Sequence, residues 1–240
     1  MSRRWGGDEP PRALILRKII WLLNVDNYAP EIVEITYPLF QRYARKIGAD
    51  IVCIKERVFL DWPTPCEKLQ IYNLAREAGA DWNIYFDIDA AIHPDVVDFT
   101  MHVPKDTVMG FWADVSDARF QVDNYFRRDG RHIGGGNWLM MASDWCLDLW
   151  HPLDDMSWQE AVQRIFPTVH ESTRGVTAEH LLDDYITSRN IARFGLKFTT
   201  VRNVYKAHGR DHLPQMWHQY TIPVAEKITR LRELVKAWEV

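Results

Sequence analysis

The chain has 240 residues, a length that fits one sizeable domain with a core large enough to need no staples. Apolar residues make up 47% and charged residues 26%, the balance of a globular protein, and a net charge of −4 argues against a general nucleic-acid binder. The three cysteines, Cys53, Cys66 and Cys146, are odd in number and far apart; they exclude a disulfide framework or zinc ribbon and point to a reducing compartment, with each thiol a small buried hydrophobe.

The opening MSRRWGGDEPPR (residues 1–12) is polar, rich in Gly and Pro, and reads as a flexible leader rather than a signal peptide. The apolar run behind it is broken by Arg17 and Lys18 and is too short to span a bilayer, so the expectation is a cytoplasmic protein with no transmembrane segment. Residues 18–25, KIIWLLNV, form a compact apolar run predicting a buried strand that empties into DNY. Ile32, Ile35, Leu39, Tyr43 and Ile47 recur at helical spacing, Gly48 closes that helix, and Pro38 is expected to kink or divide it. A second strand is predicted over 50–56. In TPCEKLQ, Thr64 as N-cap, Pro65 at the first position and Glu67 reaching back predict a capping box, and Gly79 ends the helix it opens. WNIYFDID (residues 82–89) is a third strand. This β-α-β-α-β alternation implies a parallel sheet with helices on its faces, whose ligands gather beyond the carboxyl ends of the strands.

The second half is less regular. TVMGFWADV is a candidate strand, residues 115–131 read as a polar, mobile loop, and GGGNWLMMAS is a glycine turn feeding a strand, with a short helix from Ser143. A helix over 177–190 would have Thr177 as cap, and KFTTVRNVYKAHG reads as strand and loop. Residues 222–240 predict a C-terminal amphipathic helix with Val224, Ile228, Leu231, Val235 and Trp238 on one face, docked on the chain's own core or, alternatively, on a second copy in a homodimer. No repeat or linker divides the chain, so residues 1–240 are read as a single domain.

The chemistry centres on Asp87 and Asp89. Alternate residues of a strand share a side, so the two carboxylates can converge, and two converging oxygens suit a hard divalent cation such as Mg²⁺ or Mn²⁺ shared with phosphate. Solvated strand ends and helix caps also produce an Asp-x-Asp. Its place after the third apolar strand of an α/β pattern favours the metal.

On those residues a resemblance is visible. KLQIYNLAREAGADWNIYFDIDAAI is similar to nucleotide-sugar glycosyltransferases of the GT-A fold, and most resembles the glycogenin-like and fungal/plant galactosyl- and xylosyltransferase-like families. The resemblance implies an α/β nucleotide-diphospho-sugar transferase fold with a Rossmann-like, mostly parallel central sheet and helices on both faces, Mn²⁺ or Mg²⁺ on Asp87 and Asp89, and Lys68 near the donor. It implies further that Val25, Asp26, Asn27 and Tyr28 cradle base and ribose, and that Gly135, Gly136 and Asn137 lie against the sugar. LLDDYI resembles the stretch near the reacting sugar, which implies Asp183 or Asp184 as catalytic; both flank the Leu181, Leu182, Tyr185 and Ile186 face, and helix geometry leaves the choice open. YKAHG implies His208 as third metal ligand, with His212 and His218 competing for the role. The family's Lys-Pro-Trp is missing, which leaves Lys206 or Arg210 as a lysine-like contact to the diphosphate.

The expected activity is metal-dependent transfer of a sugar from a nucleoside diphosphate, with uridine the family's commonest base, to a hydroxyl acceptor, with retention by analogy. The acceptor is open among a saccharide, a protein and a modified nucleic-acid base. A non-catalytic nucleotide-sugar-binding protein is the alternative. A phosphohydrolase using Asp-x-Asp is a lesser one, because such enzymes place the motif after the first strand and follow it with threonine.

Overall fold

Alternation along three short strands sets up the layers. In the computed structural model, which describes residues 16–111, 137–167, 172–209, 216–219 and 222–238, β1 (Lys18–Leu23) lies between β2 (Ala49–Ile54) and β3 (Trp82–Asp87), parallel to both. The register pairs Leu23 with both Ile54 and Asp87, so the three carboxyl ends are level. Ile20, Leu22, Ile84 and Phe86 point to one face, where they meet α1 (Pro30–Ile47). Ile19, Trp21 and Tyr85 point to the other, against α2 (Ile71–Ala78) and a 3₁₀ turn over Leu147–Trp150. This period of two puts an apolar layer on each side of the sheet, as buried parallel strands require.

The sheet continues beyond β3 with two pairings of opposite sense. A two-residue strand, β4 (Ala91–Ile92), leaves the sheet, and the chain returns as β5 (Thr107–Gly110). Then β6 (Leu139–Ser143) runs antiparallel to both β3 and β5, and β7 (Lys197–Thr200) is parallel to β5. The order is β2-β1-β3-β6-β5-β7, mostly parallel, with β6 reversed. Ser157 and Glu160 form a capping box that starts α3 (Trp158–Val162). A third apolar cluster, including Cys66, Leu69, Tyr185 and Ile186, anchors α4 (Leu182–Arg193) beside the sheet.

Several expectations change. α1 runs unbroken through Pro38. Thr64 caps nothing: residues Thr64–Gln70 are a 3₁₀ turn with no side-chain cap, because the Glu67 carboxylate accepts instead from the Val58 and Phe59 N–H groups at 2.9 and 3.1 Å. The helix expected from residue 177 is a 3₁₀ turn over Glu179–Leu181 leading into α4. The segment after β7 is helical, α5 (Val201–Ala207), because the Thr200 side chain accepts from the Asn203 N–H. The helix expected from Ser143 is the 3₁₀ turn at Leu147–Trp150.

The C-terminal helix, α6 (Val224–Trp238), packs within the chain. Leu231 is fully buried, and Ile228, Leu234, Val235 and Trp238 lie on the α1 side of the core, while Val224 is exposed. The three cysteines are free, with Cys66 and Cys146 buried and Cys53 half-buried. No helix among the described residues is long and apolar enough to cross a membrane. The leader, the 115–131 loop and Trp112–Val115 of the TVMGFWADV run lie outside the described residues.

Candidate metal and donor site

The site begins where β3 runs out of sheet. The Asp87 N–H still donates to the Trp138 carbonyl at 2.8 Å, and the chain then turns, with Ala90 N–H donating to the Asp87 carbonyl at 3.0 Å. Between the two aspartates, Ile88 is buried on the α1 side, and the Thr36 hydroxyl of α1 donates to its carbonyl at 2.6 Å. Anchoring Ile88 to one side sends Asp87 and Asp89 to the other.

The third member arrives by a short ladder. β4 pairs antiparallel with β8 (Met216–Trp217), matching Ala91 with Trp217 and Ile92 with Met216. One step further along this register, His218 comes level with Ala90, beside both carboxylates. Its Nε2 lies 3.3 Å from Asp87 Oδ2 and 3.4 Å from Asp89 Oδ1. Trp138 stacks on the imidazole, 5.2 Å away and tilted only 18°, and is itself backed by Phe111 at 4.2 Å. One donor atom from each of Asp87, Asp89 and His218 falls within 4.8 Å of the others.

The remaining carboxylate oxygens are held by lysines and tyrosines. Asp87 Oδ1 accepts from Lys68 Nζ at 3.4 Å and from the Tyr85 hydroxyl. Asp89 Oδ2 accepts from Lys227 Nζ, on α6, and from the Tyr28 hydroxyl at 3.5 Å. Lys68 is 2% exposed, sits over the Tyr85 ring, and makes its closest ion pair, 2.7 Å, with Asp183 Oδ2 of α4. The same Asp183 oxygen accepts from Asn137 Nδ2 at 2.6 Å. Asp87, Lys68, Asp183 and Asn137 thus form one continuous polar chain.

Opposing influences set the protonation of these groups. Burial alone would raise the Asp87 carboxyl, but Lys68, His218 and the Tyr85 hydroxyl outweigh it and hold it well below the ordinary range. Asp89 follows the same logic and is also lowered, burial being outweighed by His218 and Lys227 despite the neighbouring charge of Asp87. Burial pushes the His218 imidazole down, yet the two aspartates raise it to about 9. Lys68 loses basicity to burial and regains more from Asp183 and Asp87, ending well above its usual value. The Tyr28 hydroxyl is raised to about 12, by burial and then by Asp89. The His218 imidazolium between Asp87 and Asp89, and the Lys68 ammonium on Asp87, therefore persist as charged pairs at neutral pH.

The structure gathers some of the expected residues and not others. Asp87, Asp89, Lys68, Asn137 and Asp183 meet at the ends of β3, β6 and α4. Asp184, the next residue of α4, is also buried. Val25 is part of the core, while Asp26, Asn27 and Tyr28 are exposed on the turn after β1, with left-handed backbone at Asp26 and Asn27 (φ 55° and 51°). Such φ values are tolerated best by Gly, Asn and Asp and mark a locally constrained turn. Gly135, Gly136, Arg210 and His212 lie outside the described residues. Lys206 is exposed on α5, and His208, at the end of that helix, has its ring 4.0 Å from that of His102. The imidazole that joins the aspartates is His218, one of the two competitors of His208, delivered by a ladder too short to leave a periodic signal. Lys227 was not anticipated. Its signal was present as a stripe, since Lys227, Leu231, Leu234 and Trp238 recur at helical spacing on the packed side of α6.

A carboxylate pair with one imidazole, converging at a strand end, is a donor set that can hold a divalent cation. The six-stranded, mostly parallel sheet flanked by helices is a GT-A-like Rossmann fold. A solved glycosyltransferase, described as involved in the glycosylation of the major capsid of PBCV-1, superposes on this chain with a TM-score of 0.51 at 11% identity. The match covers 90% of this chain and 98% of that one, and at such identity it is a likeness of fold. No protein-family model and no curated protein matches the sequence.

Proposed function

We propose that the protein is a metal-dependent glycosyltransferase that moves a sugar from a nucleoside diphosphate, with uridine diphosphate sugars the first to test, to an acceptor hydroxyl. The observation that carries this reading is the convergence of Asp87, Asp89 and His218, with Lys68 behind them, at the carboxyl ends of the parallel strands of a GT-A-like sheet. Asp87 Oδ2, Asp89 Oδ1 and, once its proton has been released, His218 Nε2 would hold the cation. When bound, it would supply positive charge against the diphosphate as that group departs. Tyr28 and the turn after β1 would border the nucleoside, and Asn137 the sugar.

Asp183 is the catalytic candidate of the pair on α4, because it shares the polar chain with Lys68 and Asn137. Its Oδ2 is already engaged by the Lys68 ammonium and the Asn137 side-chain amide. It suits the holding of a sugar and the stabilising of an oxocarbenium-like transition state better than the activation of the acceptor hydroxyl, which supports retention.

The test is incubation with a panel of nucleotide sugars and Mn²⁺, following donor hydrolysis or transfer and, by NMR, the anomer formed. Asp87→Ala and Asp89→Ala should abolish turnover. Asp183→Asn should lower it by about 10²-fold or more, and Asp184→Asn far less. Full activity in Asp87→Ala/Asp89→Ala would refute the reading. Nucleotide binding without turnover for any donor would leave a nucleotide-sugar-binding protein in its place.

A further inference from the structure

The reading above gives no role to Lys227, a cation that touches the site. Lys227 lies on α6, is 4% exposed, and places its ammonium on Asp89 Oδ2. That oxygen also takes the Tyr28 hydroxyl, from the turn proposed to border the nucleoside. The two aspartates are matched almost symmetrically. Lys68 holds Asp87 Oδ1 and Lys227 holds Asp89 Oδ2, while Asp87 Oδ2 and Asp89 Oδ1 both face His218.

Each aspartate therefore already has a fixed positive charge of its own. A divalent cation arriving alone is drawn by the carboxylates and repelled by two ammonium groups close behind them, and in a poorly screened interior that repulsion is large. A cation arriving with a sugar diphosphate brings two negative charges, which are natural partners for an ammonium that has lost part of its claim on Asp89. Lysine is suited to such an exchange, being a point charge on a flexible four-carbon stem that can change oxyanions without movement of its helix.

We propose that Lys227 is a donor-binding residue: without ligands it pairs with Asp89, and it turns to the diphosphate when cation and nucleotide enter, so that the two bind as a unit. This deepens the glycosyltransferase reading and rests on it. It also makes α6 part of the site, not just a cover for the core.

The experiment is titration of Mn²⁺ by EPR, with and without uridine diphosphate and corrected for their complex in solution. Wild type is compared with Lys227→Met, Lys227→Gln and Lys227→Arg, each first shown to be folded by thermal melting. In wild type the nucleotide should tighten Mn²⁺ binding by about tenfold or more. Lys227→Met and Lys227→Gln should bind Mn²⁺ alone more tightly and lose most of that gain, and Lys227→Arg should keep it. Neutral variants that bind Mn²⁺ alone no more tightly, or that keep the full gain, would show that Lys227 merely props Asp89 and would overturn the proposal. A wild-type protein that binds neither Mn²⁺ nor the nucleotide would remove the glycosyltransferase reading, and this inference with it.

Discussion

His218 carries a proton that its surroundings both resist and demand. In the unfolded chain an imidazole titrates near 6.5, and in the folded, metal-free protein the two aspartates lift it to about 9. Folding therefore takes up a proton between those values. The stabilisation from His218 is complete below about pH 6.5 and is lost as pH rises through about 9; it amounts to roughly 3 kcal/mol at most. Asp87 and Asp89 act on the other flank. Their carboxyls lie below the ordinary 3.8, so their contribution is present above about pH 4 and fades as pH falls further. With a chelator present, the melting temperature should fall from about pH 6.5 to about pH 9, and His218→Gln should flatten that alkaline limb. A wild-type alkaline limb as flat as the variant's would mean that the imidazole is not charged between the aspartates.

At the scale of elements, the 3₁₀ turn that carries Lys68 is held by its neighbour. Glu67 is fully buried, and its carboxylate accepts from the Val58 and Phe59 N–H groups, from Arg57 Nε at 3.2 Å and from Gln70 Nε2 at 2.7 Å. Removing it strands several donors around one cavity. Glu67→Ala should cost about 3–5 kcal/mol in urea melts, and Glu67→Gln clearly less, since it keeps the shape and part of the bonding. A loss in Glu67→Ala well under 1 kcal/mol would show that the 57–70 segment is held by other contacts. The same residue shows what sequence reading reaches. Thr64, Pro65 and Glu67 spell a capping box, yet the pattern is local and the partners that won are eight and nine residues back. The strands and the Asp87–Asp89 pair were legible because an apolar run ending in charge is a local feature. The helix after β7 has a local signal too, in Thr200 as its cap, although its basic, polar sequence reads equally as a loop. His218 and Lys227 reach Asp89 across 129 and 138 residues (218 − 89 and 227 − 89), and no periodicity records such a meeting.

At the scale of the molecule, the reversed strand explains how the mouth is built. β1 and β3 leave the sheet there, delivering Tyr28 and the aspartates, whereas β6 enters there, so Asn137 and Trp138 come from its beginning. A sheet parallel throughout would have offered only strand exits, each followed by a crossover helix. α4 and α6 then close the site from opposite faces with Asp183 and Lys227. The residues of this constellation thus come from both halves of the chain, and its geometry depends on the whole fold being in place.

The two residue pairs of the β4–β8 ladder hold His218 at the carboxylates, while β1 is joined to each neighbour over six. So small a clasp opens at far less cost than the sheet it leans on. The protein should therefore be disarmed before it is unfolded: on warming, bound Mn²⁺ should be released at a lower temperature than the far-ultraviolet helix signal is lost, with amides at 216–219 exchanging well ahead of those in β1 and β3. Coincident transitions would mean that the clasp and the sheet yield together. In a cell, a molecule built this way goes idle under mild stress while keeping its core covered, and can resume work on cooling without having to fold again.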